Sequence, residues 1–377
     1  MRRTVGITGA GGLLGFHLRA RIYSRGEDSI VPIHTDAFSD AAKLRDLVSR
    51  CDVIVHLAYK LRGEGEEILR VNHEIDEKLT TALDASGRPI PLIFASSTHV
   101  DRATPYGEAK RRSEAHFAHW AEARGALKTS ILFPNIFGEG GQPFHNSVVS
   151  TFCHQVAKGV EPTVFTDAEL PLIHAQEAAR EIMEAIEARG SGERRPGGTP
   201  MHVSGILETI RAMDRDYRGA GIVPDLRDPF YRALFNTYRS YIFPDAYPMR
   251  LGLHEDARGI LFETVKSRNG GQAFVSTTKP GGSRGNHFHF RKLERFCVLK
   301  GSAVIRIRRI FSDKIHVFEV NGDSPMVVDI PTLHTHHIEP TTSEQLLALF
   351  WSSEIYDTAD SDTFPEPVFP AALPEHS

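Results

Sequence analysis

The sequence predicts two folds in one chain: a doubly wound parallel α/β sheet over residues 1–245, then an all-β sandwich or barrel over residues 246–377. Three observations carry this reading. A chain of 377 residues exceeds what one hydrophobic core ordinarily organises. Its first half alternates short apolar runs with polar-apolar helical periods, the rhythm of βαβ units. Beyond about residue 250 the helical periods vanish and a period of two replaces them.

The strands predicted for the first half are Val5–Thr8, Ile30–Ile33, Val53–Leu57, Leu92–Ser96 and Ser130–Phe133. Glu187–Pro200, rich in Gly, Arg and Pro, reads as a loop within that half. Pro244, Pro248 and Gly252 then interrupt the pattern, which sets the domain boundary between 245 and 246. In the second half, Ala303–Arg308 places Ala303, Ile305 and Ile307 on one face and Arg306 and Arg308 on the other, as a half-exposed antiparallel strand does. Turn signals stand at Gly270-Gly271, Gly281-Gly282, Ser312-Asp313 and Asn321-Gly322. The final dozen residues, rich in Pro and Glu, are expected to be loose.

Composition narrows the function classes. Apolar residues make up 41% and charged residues 24%, which excludes extensive disorder. Lys+Arg 44 against Asp+Glu 48 leaves no basic footprint for nucleic acid or an anionic membrane. Nowhere do about 18 apolar residues run together, and the Met-Arg-Arg-Thr start is followed by Gly9, Gly11 and Gly12 rather than an apolar signal core. A cytoplasmic protein is therefore expected. Cys51, Cys153 and Cys297 are too scattered for a disulfide framework, and Cys297 is expected to pack inside the β half.

Thr8–Gly15 reads T-G-A-G-G-L-L-G between a strand and a helix carrying Leu14, Leu18 and Ile22. Gly9 permits a tight turn, Gly12 lets backbone approach a pyrophosphate, and Gly15 allows close helix packing. Tyr106 and Lys110, four apart at the start of a helical segment, share one face. A ketone accepting hydride needs a proton on its oxygen, and a phenol beside an ammonium can supply one. Ser97, ending a predicted strand, can hydrogen-bond the same oxygen.

Gly9-x-x-Gly12-x-x-Gly15, His56-Leu57-Ala58, Val71-Asn72, Ser96-Ser97 and Tyr106-x-x-x-Lys110 stand in the order and spacing of the extended short-chain dehydrogenase/reductases, which this half resembles. That family acts chiefly on nucleotide sugars. The resemblance implies a Rossmann-type fold with Tyr106 as acid, Lys110 holding the nicotinamide ribose and tuning Tyr106, and Ser97 as donor to the substrate oxygen. It implies cofactor contacts from Gly9, Gly12, Leu13, Leu14, Gly15, His34, Leu57, Ala58, Asn72, Tyr106 and Lys110. Two positions depart from the pattern: Leu132 replaces the usual Arg before Pro-Asn, and His34-Thr35 ends the second strand where an Asp would select NADH or an Arg NADPH. NADPH is expected, NADH remains open, and Asp36 is the residue that would favour NADH.

Gly281, His287, His289, Glu294 and Gly301 follow G-x5-H-x-H-x4-E-x6-G, the first motif of the cupins, which the second half resembles. Residues two apart on a strand point the same way, so His287 and His289 can both face a barrel interior. With a carboxylate and a later His they suit Zn, Fe, Mn or Ni. His336 is the fourth ligand by resemblance, although Leu333 stands where the second cupin motif has Gly. His99, His145 and His254 carry no assignment.

Together the halves resemble the bifunctional capsular-polysaccharide enzymes that join a reductase domain to a metal-binding cupin on the route to UDP-N-acetyl-L-fucosamine. Gly285-Asn286-His287 and Asn146–Cys153 are the most distinctive shared segments. The resemblance implies a UDP-sugar substrate, zinc, C-3 epimerisation of a 4-ketohexose in the cupin, and NADPH-dependent reduction of the ketone. His334, sharing a strand face with His336, is the candidate epimerisation base. An exposed barrel edge favours a homodimer. The competing readings are a ketosugar reductase with a structural or sugar-binding cupin, and a non-catalytic nucleotide-sugar-binding regulator.

Overall fold

The computed structural model describes residues 2–257 and 259–370. The chain divides into two compact units, one of residues up to Thr151 with Val164–Gly205, the other of Phe152–Thr163 with residues from Ile206 onward.

The first unit begins β1 (Thr4–Thr8), α1 (Leu13–Arg25), β2 (Ser29–Ile33), α2 (Ala41–Ser49), β3 (Val53–His56), α3 (Gly65–Ala85), β4 (Leu92–Ser97), α4 (Pro105–Arg124) and β5 (Lys128–Phe133). It continues through β6 (Asn135–Phe137), α5 (Val148–Ala157, to Thr151), β7 (Glu169–His174), α6 (Ala175–Ala188), β8 (Gly192–Arg194) and β9 (Thr199–His202). The main sheet is parallel in the order β2-β1-β3-β4-β5-β8, and β6-β7-β9 form a smaller one. Its strands are apolar on both faces, so each face buries a core. Val53 and Val55 pack with Leu18, Ile22, Ile182 and Ile186 of α1 and α6. Ile54, one residue between them, packs with Leu79, Leu83 and Phe117 of α3 and α4. Strand order reverses at β1 and β3, which opens a crevice beyond their carboxyl ends at Thr8 and His56.

Helix ends are locally specified. Asp40 accepts from the amides of Ala42 and Lys43 at the start of α2, and Thr104 caps α4 through Gly107, with Pro105 in its first turn. Gly26 and Gly125 end α1 and α4 in the left-handed conformation that glycine adopts without strain. The segment Glu187–Pro200 is not wholly a loop, because β8 within it pairs in parallel with β5.

The second unit contains α7 (Val203–Asp214, from Ile206), β10 (Ile222–Val223), α8 (Pro229–Ile242), β11 (Met249–Arg250), β12 (Leu253–Asp256), β13 (Gly259–Phe262), β14 (Lys266–Ser267) and β15 (Gln272–Thr278). It ends with β16 (Arg284–Phe288), β17 (Glu294–Lys300), β18 (Ser302–Arg309), β19 (Ile315–Asn321), β20 (Met326–Ile330), β21 (His334–Pro340), β22 (Leu346–Ser352) and β23 (Phe364–Pro365). Two antiparallel five-stranded sheets, β11-β20-β17-β22-β15 and β19-β18-β21-β16-β23, enclose one apolar core. Phe296, Val328 and Phe350 of the first meet Ile305, Ile307 and Ile338 of the second there.

The expected boundary at 245/246 is corrected by these contacts: α8 packs with the β strands. Arg239 of α8, only 1% exposed, donates to the Ile330 carbonyl at 2.8 Å, and Asn236 donates to the Arg291 carbonyl at 3.0 Å. Tyr217 donates to Asp329 and lies 2.7 Å from the Tyr247 hydroxyl. Helical periodicity reports that a face is buried without reporting which sheet buries it. At the centre of this network Arg295 donates to both oxygens of Asp329, at 2.6 and 2.8 Å, with both side chains buried. Burial would raise the Asp329 carboxyl, but the Arg295 guanidinium holds it below the usual range. Asp329→Ala strands that guanidinium, and we expect a loss of about 3–5 kcal/mol, read as a lower denaturation midpoint.

Two further expectations change. Arg308 is buried rather than half-exposed, because Glu366 and the carbonyls of Val368, Pro367 and Ser312 take up its guanidinium. For the same reason the final dozen residues are not all loose: Glu366 is pinned and Val368 is buried, while residues 371–377 lie outside the described residues. All three cysteines, Cys297 among them, are buried free thiols. Among the described residues no helix is long and apolar enough to cross a membrane.

Candidate active site and candidate metal centre

In the first unit the crevice beyond β1 and β3 is a cavity of about 1100 Å³. Gly9, Gly12, Leu13, Leu14, Gly15, Leu57, Ala58, Ser97, Tyr106 and Lys110 all line it, as do Thr35 and Phe38. The glycines are required sterically. Gly9 has φ +66 and a Cβ there would stand 2.9 Å from the Ala58 amide nitrogen, while one on Gly15 would stand 2.4 Å from the Gly9 carbonyl. Gly12 precedes α1 without any side-chain cap, so the first amides of the helix are left for an anion. On the cavity wall the buried Ser96 hydroxyl has no hydrogen-bond partner. A cradle that admits only glycine, an uncapped helix start and an orphaned hydroxyl fit a dinucleotide.

β4 and α4 assemble the chemistry. Ser97 ends β4, and its Oγ accepts from the His99 amide at 3.2 Å. Tyr106 and Lys110 lie one turn apart on α4. Burial pushes the Tyr106 phenol up to about 12, opposed by a hydrogen bond from Ser97, so the phenol is protonated at neutral pH. The buried Lys110 ammonium donates to the Ala95 carbonyl at 2.8 Å and lies 3.5 Å from the centre of the Tyr59 ring. Burial brings its pKa down to about 7, against the pull of Asp76 and Glu114.

The sequence did not point to the network behind Lys110. Thr8 Oγ1 accepts from the amides of Leu57 and Ala58 at 3.0 and 3.1 Å, so its hydrogen goes to His56 Nδ1 at 2.8 Å. His56 Nε2 is then the donor to Asp76 Oδ1 at 3.3 Å, and burial keeps the ring neutral. Ser113 donates to the other Asp76 oxygen and in turn stands 3.3 Å from the Tyr59 hydroxyl. The Tyr59 ring meets that of Tyr106 edge-on at 5.8 Å. These groups sit on four different elements, so no local motif reveals them. His99 and His145, unassigned in the sequence, both line the cavity, and the His99 ring lies 5.7 Å from that of Tyr106.

One expected cofactor residue lies off the cavity wall. Asn72 does not line the cavity; its amide group is consumed by the Lys60 amide and carbonyl and the Ile68 carbonyl, so it positions Lys60. His34 is exposed at the end of β2, its Nδ1 3.8 Å from where a Cβ on the cavity-lining Gly11 would stand, and Thr35 and Phe38 line the wall next to it.

In the second unit His287 on β16, His289 just after it, Glu294 opening β17 and His336 on β21 bring their donor atoms within 4.8 Å of one another. Glu294 Oε2 lies 3.7, 3.1 and 3.2 Å from Nε2 of His287, His289 and His336. Ligands about 2.1 Å from a tetrahedral ion stand about 3.4 Å apart, so these spacings fit a divalent cation. The Nε2 atoms of His289 and His336 are buried without hydrogen-bond partners, and His289 Nδ1 donates to the Asp362 carbonyl at 2.6 Å, which fixes the tautomer that frees Nε2. Gly285 explains the local fold. With φ +119, its Cβ would stand 2.3 Å from the His336 carbonyl, so only glycine lets the bulged β16 lie against β21. His334 is not brought into this group, because its Nδ1 donates to the Thr332 carbonyl at 2.8 Å and its ring packs on Phe243 at 5.0 Å.

Comparison with known proteins agrees with this division. The chain is 29% identical over 362 residues, 95% of its length and 97% of the other's, to a UDP-2-acetamido-2,6-beta-L-arabino-hexul-4-ose reductase of Pseudomonas aeruginosa. It resembles the crystal structure of the capsular polysaccharide assembling protein CapF from Staphylococcus aureus, with 29% identity, TM-score 0.62, and coverage of 96% of this chain and 99% of that one. The UDP-N-acetylglucosamine 4-epimerase of Bacillus cereus shares the fold at 18% identity and TM-score 0.51, over 56% of this chain and 81% of its own. Residues 254–364 match the polysaccharide biosynthesis C-terminal domain. Residues 5–195, with the glycine cradle and the Ser97, Tyr106 and Lys110 cluster, match the NAD dependent epimerase/dehydratase family, and the chain belongs to that family.

Proposed function

We propose that the chain is a two-site nucleotide-sugar enzyme. Its β unit, a cupin, epimerises carbon 3 of a UDP-2-acetamido-2,6-dideoxy-4-ketohexose. Its α/β unit then reduces the 4-ketone, giving UDP-2-acetamido-2,6-dideoxy-L-talose for a surface polysaccharide. The observation that carries the proposal is Ser97, Tyr106 and Lys110 gathered on the cavity that begins at the glycine turn. The names of the Pseudomonas reductase and the Staphylococcus capsule protein support the substrate class. The order follows from chemistry, since a proton at carbon 3 is acidic only while the neighbouring ketone exists.

The Gly9, Gly12 and Gly15 cradle and Lys110 would hold NADPH, which would supply the hydride for the carbonyl carbon. Tyr106 delivers its phenolic proton to the ketone oxygen, and Ser97 donates a hydrogen bond to the same oxygen. Lys110, in its ammonium form, stabilises the phenolate left on Tyr106. In the β unit, a zinc ion held by His287, His289, Glu294 and His336 would polarise the ketone. β15 is an edge strand with Phe274 and Val275 exposed, which supports a homodimer. Loss of NADPH absorbance on adding a UDP-4-ketosugar tests the reductase. No consumption would favour the non-catalytic regulator.

NADPH should be preferred modestly over NADH. Thr35 and Phe38 line the cavity past β2, and the one acid between them in the chain, Asp36, is exposed with its carboxylate bound by Lys43 at 2.6 Å. A kcat/KM with NADH equal to or above that with NADPH contradicts this.

Rate should also depend on the charge of Lys110. Its pKa is depressed to about 7, so the ammonium is present below that value and lost as pH rises through it. The alkaline limb of kcat/KM reports that loss. Asp76→Asn removes a negative charge that favours the ammonium, so the limb should move to lower pH, whereas a merely structural role would leave its position unchanged.

A further inference from the structure

We propose that His73, Glu77 and His116 form a second transition-metal site, one that ties α3 to α4. His73 and Glu77 lie four residues apart on α3 and so share a face, and their donor atoms stand within 4.8 Å of each other and of that of His116 on α4. None of these residues lines the cavity or belongs to the β-unit cluster.

The hydrogen bonding of His116 points to a cation. Thr80 Oγ1 has the carbonyls of Asp76 and Glu77, each at 3.1 Å, as acceptors for its single proton. That oxygen also lies 3.1 Å from His116 Nε2, and in the tautomer that a cation on Nδ1 would select, Nε2 donates to it. That tautomer turns His116 Nδ1 toward Glu77 Oε1 at 3.3 Å. In that tautomer Nδ1 and the carboxylate oxygen face each other as two ligand atoms. A cation between the two would take both as ligands, and the His73 ring, 6.1 Å from that of His116, offers a third. Imidazole and carboxylate select Zn²⁺, Ni²⁺ or Cu²⁺ over Mg²⁺ or Ca²⁺. His73 and Glu77 are exposed and His116 is partly so, which leaves room for water in the remaining positions.

The site spans the helix that carries Asp76 and the helix that carries Tyr106, Lys110 and Ser113. Metal there would fix the pair against each other behind the cavity wall.

Zinc stoichiometry of the full chain, measured by equilibrium dialysis, tests the proposal. Wild type should hold two equivalents and His73→Ala one. Glu77→Gln should lose the second equivalent at the zinc concentration that saturates wild type. The double variant His287→Ala/His289→Ala should keep one equivalent, and adding His73→Ala to it should remove that one. Because the double variant may not fold, imidazole NMR provides a second readout: zinc should perturb the His116 ring in wild type but not in His73→Ala. Equal zinc stoichiometry in wild type and His73→Ala, or a His116 signal that zinc leaves unmoved, overturns the proposal and leaves an imidazolium–carboxylate pair. Failure of the β-unit cluster alone would instead show as one equivalent in wild type that disappears in His73→Ala.

Discussion

Tyr106→Phe should lower the rate of ketone reduction by about 10²- to 10⁴-fold while leaving proton exchange at the sugar's carbon 3 intact. In the proposed mechanism the phenol is the acid of the α/β unit alone, and its high pKa, about 12, keeps it protonated. Removing one oxygen leaves the ring packed edge-on against Tyr59 and His99, so the cavity should keep its shape. NADPH binding should therefore stay near wild type, and the loss should fall on kcat. Near-normal NADPH turnover by the variant would refute the assignment. Lys110→Ala differs in kind: it removes both a buried ammonium and the bond to the Ala95 carbonyl, so cofactor affinity and rate should fall together.

His289→Ala should empty or distort the β-unit metal site and stop label uptake at carbon 3, while the variant still binds NADPH. His289 is the best anchored of the four, being 1% exposed with Nδ1 bound to the Asp362 carbonyl and Nε2 aimed at Glu294. Without it, His287, Glu294 and His336 remain, and His287 is the most distant from the carboxylate. Elemental analysis should show less than the wild-type metal content. Retention of both metal and exchange would make the β unit a structural or sugar-binding domain.

What could be read from the sequence was whatever one element carries by itself. The glycine turn and Tyr106 with Lys110 each lie within a single strand–turn–helix or helix, where spacing alone fixes geometry. His287 and His289 were legible for the same reason, since a period of two aims them together. The period of two gave the strand face of His334 but failed to place it in the cluster, because its ring packs on Phe243 and its Nδ1 is taken by the Thr332 carbonyl. It also failed at Arg308, where a distant tail segment returns to cover the outward face. Groups distributed over several elements were not legible at all: Thr8, His56, Asp76, Ser113 and Tyr59 meet only after the sheet and helices pack. The domain boundary was misread because α8 has an ordinary amphipathic period, and its burial against the β strands is a tertiary fact.

In the proposed function one chain performs two separable reactions in a fixed order. Incubation of the full chain with the UDP-4-ketosugar in deuterated water, without NADPH, tests it. Deuterium should appear at carbon 3 with the ketone intact, and NADPH added afterwards should be consumed to give a reduced sugar labelled there. Reduction that proceeds with no label at carbon 3 would contradict the account and leave a ketosugar reductase joined to a non-catalytic β domain.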